Sequence, residues 1–319
     1  MRLLARHRRW VVDDFERQVG RHDQHSVFGG PAGDPGLVGG PESVSWRIHG
    51  DVASIAIASV GAIVLEILHP SVMAGVQDQS SYADDPLRRA RTTYGYVVTT
   101  TFGNTEKAER LIAHVKRLHA QVNGVRPDGV PYRALDPALI AWVHTCIPWA
   151  IMTAYDRFCE PLSRADKDQY LAEQSVVGLL GGADWVPASV SELEAFVEDV
   201  RPQLAVNHQT RAFFDFLLAG HIGPIPFPDR VPDAVRRPIM RFQVEAGMGL
   251  MPRWARQMAG FAAPAIVQRT LHDPAMWAFT RRHRWAFGAP TFKQLAVARA
   301  RGVPADRDDS AAVASGARQ

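Results

Sequence analysis

Lysine is scarce in this 319-residue chain: only Lys107, Lys116, Lys167 and Lys293 occur among 36 basic residues. The remaining positive charge is arginine scattered among 33 acids, for a formal net charge of +3. No dense basic tract exists to follow a phosphate backbone, so nucleic acid is not an expected partner. Cysteine is nearly absent as well. Cys146 and Cys159 have no CxxC neighbours, which excludes a disulfide framework and a cysteine-built zinc site, and suggests a reducing compartment. Without a CxxCH motif, any haem is held without thioether links. There is no P-loop, HExxH, GxSxG or dinucleotide fingerprint. The basic N-terminus lacks the unbroken apolar run of a signal peptide. The longest apolar stretch, 52–68, is about 17 residues, small-residue-rich, and carries Glu66. It is expected to be a buried core helix, not an integral membrane span, and the expected location is the cytoplasm.

With 46% hydrophobic and 22% charged residues the chain is of the globular class. Helical punctuation recurs along it, with no alternating strand runs, so the expected fold is all-α, a single large helical domain. Residues 3–19 read as a helix and FGGPAGDPGLVGGPE (28–42) as a linker, so 1–43 form an N-terminal extension. HPS at 69–71 ends or kinks the apolar helix. Asp85–Pro86 and Asp136–Pro137 each pair an N-cap carboxylate with a first-turn proline. Asn104 or Thr105 caps a helix running to Val122, Ser163 caps another, and SVSELEAFVEDV offers a capping box at Ser189 with Glu192 or Ser191 with Glu194. After the proline-rich stretch 223–232, helical patterning covers roughly 233–285. The main domain is placed at 44–285, followed by a C-terminal extension, 286–319, disordered after about 303.

Three sets of residues are candidates for chemistry. On the 105–122 helix, Ala108, Leu111, Ile112, Val115, Leu118 and Val122 form an apolar arc. His119 lies inside that arc, and His114 at its edge. His144 aligns with Ile140, Val143 and Ile147 on the next helix. A buried imidazole needs a partner, either a backbone carbonyl as a packing histidine or a metal as a ligand. Arg88, Arg91 and Thr92 share one face at i, i+3, i+4, which suits an anion or an ordinary solvated surface. The His49–Gly50–Asp51 triplet offers a histidine and a carboxylate for a facial-triad iron site, but lacks the second histidine and β-scaffold such sites use.

The order and spacing of short pieces resemble one family. They run Trp46-x4-Asp51, Leu68-His69-Pro70, Asp85-Pro86-Leu87 with Arg91-Thr92, and Phe102-Gly103. Then come His119-x2-Val122-x-Gly124, Tyr132-x-Ala134-x-Asp136-Pro137, Trp142-Val143-His144-Thr145, and Leu250-Met251-Pro252-x-Trp254-x-Arg256. Over roughly 44–285 this is similar to the MpaB-type oxygenases, whose catalytic domain is shared with latex-clearing protein, the bacterial rubber oxygenase. The resemblance implies a globin-like helical core around non-covalent haem b, with dioxygen as co-substrate and oxidative attack on a C=C bond of a hydrophobic, isoprenoid-like small molecule. It implies His119 as proximal iron ligand, with His144 the second choice, and Arg88, Arg91 and Thr92 on the distal side. Latex-clearing protein has a lysine where this chain has Arg91. Arginine stays protonated and coordinates iron poorly, so Arg91 is expected to bond a haem propionate or bound oxygen. Two other functions stay open: a non-catalytic haem sensor or carrier closed by a sixth ligand such as His69 or His144, and a cofactor-free interaction module. A homodimer is also open.

Overall fold

The computed structural model describes residues 2–19, 24–79, 86–220, 231–288 and 290–303. Helices dominate. In chain order they are α1 (Arg2–Val19), α2 (Gln24–Phe28), α3 (Val44–His49), α4 (Val52–Ile67), α5 (Pro70–Gln79), α6 (Pro86–Phe102) and α7 (Thr105–His119). A two-stranded antiparallel hairpin, β1 (Asn123–Val125) with β2 (Pro131–Arg133), follows, with Gly124 opposite Tyr132. Then come α8 (Pro137–Phe158), α9 (Arg164–Gly181), α10 (Val190–Val200), α11 (His208–Leu218), α12 (Asp233–Met248), α13 (Arg253–Ala259), α14 (Ala265–Val267), a π-turn (Gln268–His272), α15 (Asp273–Phe287) and α16 (Thr291–Arg301).

The caps explain most starts. Asn104, Asp136, Ser163 and Ser189 each accept a backbone N–H of the helix they precede. Asp85 lies outside the described residues, but α6 does open on Pro86. Core position follows from composition. α4 is apolar and small-residue-rich, and it packs along α8 more extensively than any other pair of elements. At Leu68–His69 the chain bends by 104° into α5. There the Ser71 N–H donates to Nδ1 of buried His69 (3.2 Å). Among the described residues one helix, Pro137–Phe158, is long and apolar enough to cross a membrane, and over half of its apolar window is buried inside the fold.

One expectation needs correction, and two regions gain detail. The 105–122 helix stops at His119, because the chain turns there into β1 and Val122 bonds Ala134 across the hairpin. The 233–285 region is not continuous. It breaks at Gly249–Pro252 and again at Gly260, whose φ of +76° only glycine adopts freely. The C-terminal extension contains α16, which tethers the 28–42 linker. Arg299, 5% exposed, donates to the carbonyls of Phe28 (2.8 Å), Asp34 (2.9 Å) and Phe102 (2.9 Å). The stretches 223–232 (up to 230) and 304–319 lie outside the described residues.

Candidate functional site

His119 is the last residue of α7 and is half-buried. The apolar arc that carries it is covered only along its first part. Ala108 and Ile112 are buried, Leu111 and Val115 are partly covered, and Leu118 is 49% exposed. At the start of α6, Arg88 and Thr92 are exposed and Arg91 is half-buried. The Thr92 hydroxyl donates to the Arg88 carbonyl (2.9 Å), so it satisfies its own helix and does not converge with the guanidinium groups on a shared point.

His144 has the other fate weighed for it. Its Nε2–H donates to the Gln174 carbonyl (2.9 Å), and its ring lies against Gly178 of α9. Burial holds its pKa down at about 4, so the ring is neutral at physiological pH. This is a packing arrangement, in which an imidazole caps a carbonyl at a helix crossing where a side-chain-free residue makes room.

His49 is more tightly held. Thr101 Oγ1 donates to the Val97 carbonyl (2.8 Å), so it accepts from His49 Nδ1–H (2.6 Å). That fixes the tautomer, and Tyr170 O–H donates to Nε2 (2.7 Å). Burial depresses the pKa to about 3. Both nitrogens are used, so the facial-triad reading of His49–Gly50–Asp51 fails. Among the described residues no three His, Cys, Asp or Glu side chains converge as a metal site requires.

Asp51 instead belongs to a feature that motif reading missed. A cavity of about 450 Å³ opens at the N-terminus of α4, lined by Arg47, Asp51, Glu160, Arg284, Phe287 and Lys293 among others. Arg284 bridges Asp51 (2.9 Å) and Glu160 (2.8 Å). Burial, only partly offset by Arg284, raises the Asp51 carboxyl, and burial also pushes up the neighbouring Cys159 thiol. None of the residues singled out from the sequence as haem or oxygen groups lines this cleft. The HGD triplet was its one sequence signal.

The family described as ER-bound oxygenase mpaB/B'/Rubber oxygenase, catalytic domain, matches residues 46–285. The chain belongs to this family. The family takes its name from oxygenases, which are oxidoreductases. Uncharacterized proteins of Mycobacterium bovis and Mycobacterium tuberculosis are each 27% identical over 120 residues, covering 36% of this chain and 47% of theirs. The chain thus spans about half the length of the curated relatives it matches. No solved structure matches it.

Proposed function

We propose that this protein is a haem b-dependent oxygenase that uses dioxygen on a hydrophobic, C=C-containing small molecule, with His119 as the iron ligand. Membership of the mpaB/rubber oxygenase family across 46–285 carries the proposal. The donor set fits the group. A single half-buried imidazole ends α7, and two guanidinium groups stand on the first turns of α6; the imidazole would hold the iron and the guanidinium groups would pair with the anionic propionates. Haem b, when bound, supplies the electron and dioxygen chemistry.

The chain's own residues do the rest. His119 holds the group from one side. Arg91, permanently charged, neutralises a propionate or a developing negative oxygen. α4 contributes an apolar wall: where it is not fully buried, the face is Ala56, Ser59, Val60 and Ile63, with one hydroxyl and no charge. A globin-like arrangement of the helices around the group forms part of the same proposal. Catalysis is favoured over a closed carrier because the candidate sixth ligands are engaged. His69 takes the Ser71 N–H on Nδ1 and bonds the Gln203 side chain, and His144 donates to Gln174.

The test is an absorbance spectrum of the haem-supplemented protein, oxidised and reduced, with and without carbon monoxide. A Soret band that shifts with carbon monoxide is expected. His119→Ala should lose the band, and Arg91→Ala should retain it. Colourless protein overturns the proposal, and loss of haem in His144→Ala but not His119→Ala moves the ligand to His144.

A further inference from the structure

Several large apolar side chains are exposed along 266–285. Ile266 is 60% exposed, Leu271 55%, Trp277 45% and Trp285 46%. Trp277, exposed Arg281 and Trp285 stand at i, i+4, i+8 on α15, so they share one face. α1 lies beside α15 and extends the patch. Trp10 is 51% exposed, and the His7 ring stacks 6.0 Å from both Trp10 and Trp285. The Arg282 guanidinium sits 4.9 Å from the Trp10 ring centre, and Arg8 Nε donates to the Ala286 carbonyl (2.6 Å). Three half-exposed indoles alone present roughly 350 Å² of largely apolar surface, as large as the biggest patch on a typical monomer.

Among the described residues the charge around these rings is mostly positive. Arg6, Arg8, Arg9, Arg281 and Arg282 frame them, and none makes an ion pair with a described residue. Elsewhere arginines commonly take an acid, as in Arg47–Asp166, Arg126–Asp128, Arg157–Asp273 and Arg284–Asp51. Asp13 is the one acidic side chain described on α1, and it is exposed.

We infer that the α1–α15 face docks on an anionic lipid surface, its indoles seated at the headgroup level and its arginines on the phosphates. Indole has an apolar body and a polar N–H, which suits a half-wet boundary. Arginine lays its stem on apolar surface while its head stays hydrated. Cations with no acidic partner among the described residues, beside exposed tryptophans, fit a negative bilayer better than a neutral one. The inference rests on this surface alone and does not need haem.

Co-sedimentation of the full chain with phosphatidylcholine vesicles, with and without phosphatidylglycerol, tests it. Binding is expected to the anionic vesicles only, weakened by high salt and accompanied by a blue shift of tryptophan emission. Each basic residue near such a surface contributes about fivefold, so Arg9→Gln with Arg281→Gln should weaken binding about 25-fold. Trp277→Ala with Trp285→Ala should weaken it at least tenfold. Trp277 touches Phe158 edge-on, so circular dichroism must accompany that pair, whereas the arginine pair lies on the surface. No binding, or equal binding to both vesicle types, overturns the inference. So does a dimer that the tryptophan pair converts to monomer, or arginine-dependent capture of a single-stranded oligonucleotide in place of vesicles. Colourless protein that still binds anionic vesicles would sink only the haem reading, and red protein that ignores them only this one.

Discussion

Gly178→Ala sets two opposed effects against each other at the α8–α9 crossing. In an isolated helix the change is favourable by up to about 1 kcal/mol, because glycine surrenders more backbone freedom than alanine. Here the new Cβ would stand 2.6 Å from His144 Cδ2, 2.9 Å from Cγ and 3.0 Å from Val186 Cγ1. Carbon atoms do not approach so closely, and overpacking of this kind costs about 1–3 kcal/mol. Displacing the ring also breaks the His144–Gln174 bond, worth about 1 kcal/mol. The steric side wins, and Gly178→Ala should destabilise the protein by about 2 kcal/mol in urea titration.

The same geometry predicts a sign reversal. With His144→Ala already in place the ring is gone, and adding Gly178→Ala should be neutral or stabilising, a coupling of about 2–3 kcal/mol between the two sites. If the glycine change stabilises the parent protein, or costs as much without the histidine, then the ring does not occupy the space assigned to it. Haem loss in Gly178→Ala beyond the fraction unfolded would move the iron ligand towards His144.

Acidification should unfold the protein through its buried histidines. His49 and His144, depressed by burial to about 3 and about 4, stay neutral in the fold, while the unfolded chain protonates both near 6.5. Their contribution is therefore complete above about pH 6.5 and is lost as pH falls, at about 2.7 kcal/mol per pH unit near pH 5. Urea titrations across pH 5–7 check this, with His144→Gln halving the slope; a flat profile would contradict it. Arg299→Met removes the donor to three backbone carbonyls and should cost about 3 kcal/mol, with faster proteolysis within 24–43 as the companion readout. Cys146 is buried with its thiol pushed up by burial, and Cys159 is pushed up by burial and the adjacent Asp51. Both should resist an aromatic disulfide reagent at pH 8 in the native state and react on unfolding.

What was legible in the sequence was local. Asn104, Asp136, Ser163 and Ser189 announce helices because one side-chain oxygen satisfies an otherwise orphaned N–H, a bond made within three residues. Burial of α4 was legible too, since its apolar character runs almost all the way round. Coverage by distant elements was not. The arc on α7 assigns Leu118 and Ile112 to the same face, yet one is 49% exposed and the other 2%. Periodicity reports direction around a helix, not where a neighbouring helix ends. α16 was missed for a related reason: its tether is Arg299, a charged residue whose partners are carbonyls far away in sequence.

The histidines show how the same limit bears on function. His144 aligned with an apolar helix face and His49 belonged to the His–Gly–Asp triplet, but each ring bonds a neighbouring helix. Recruiting His49 for iron would strand a buried hydroxyl, an expense of about 1–3 kcal/mol on top of any rearrangement, whereas His144 has one nitrogen on the Gln174 carbonyl and its ring packed against Gly178. His119 stands on the final turn of α7, beside an exposed Leu118 and next to the turn into β1. A ligand has to present one nitrogen outward from its scaffold without unpicking that scaffold. His119 is the least buried of the three rings, and the iron assignment to it rests on family membership across 46–285.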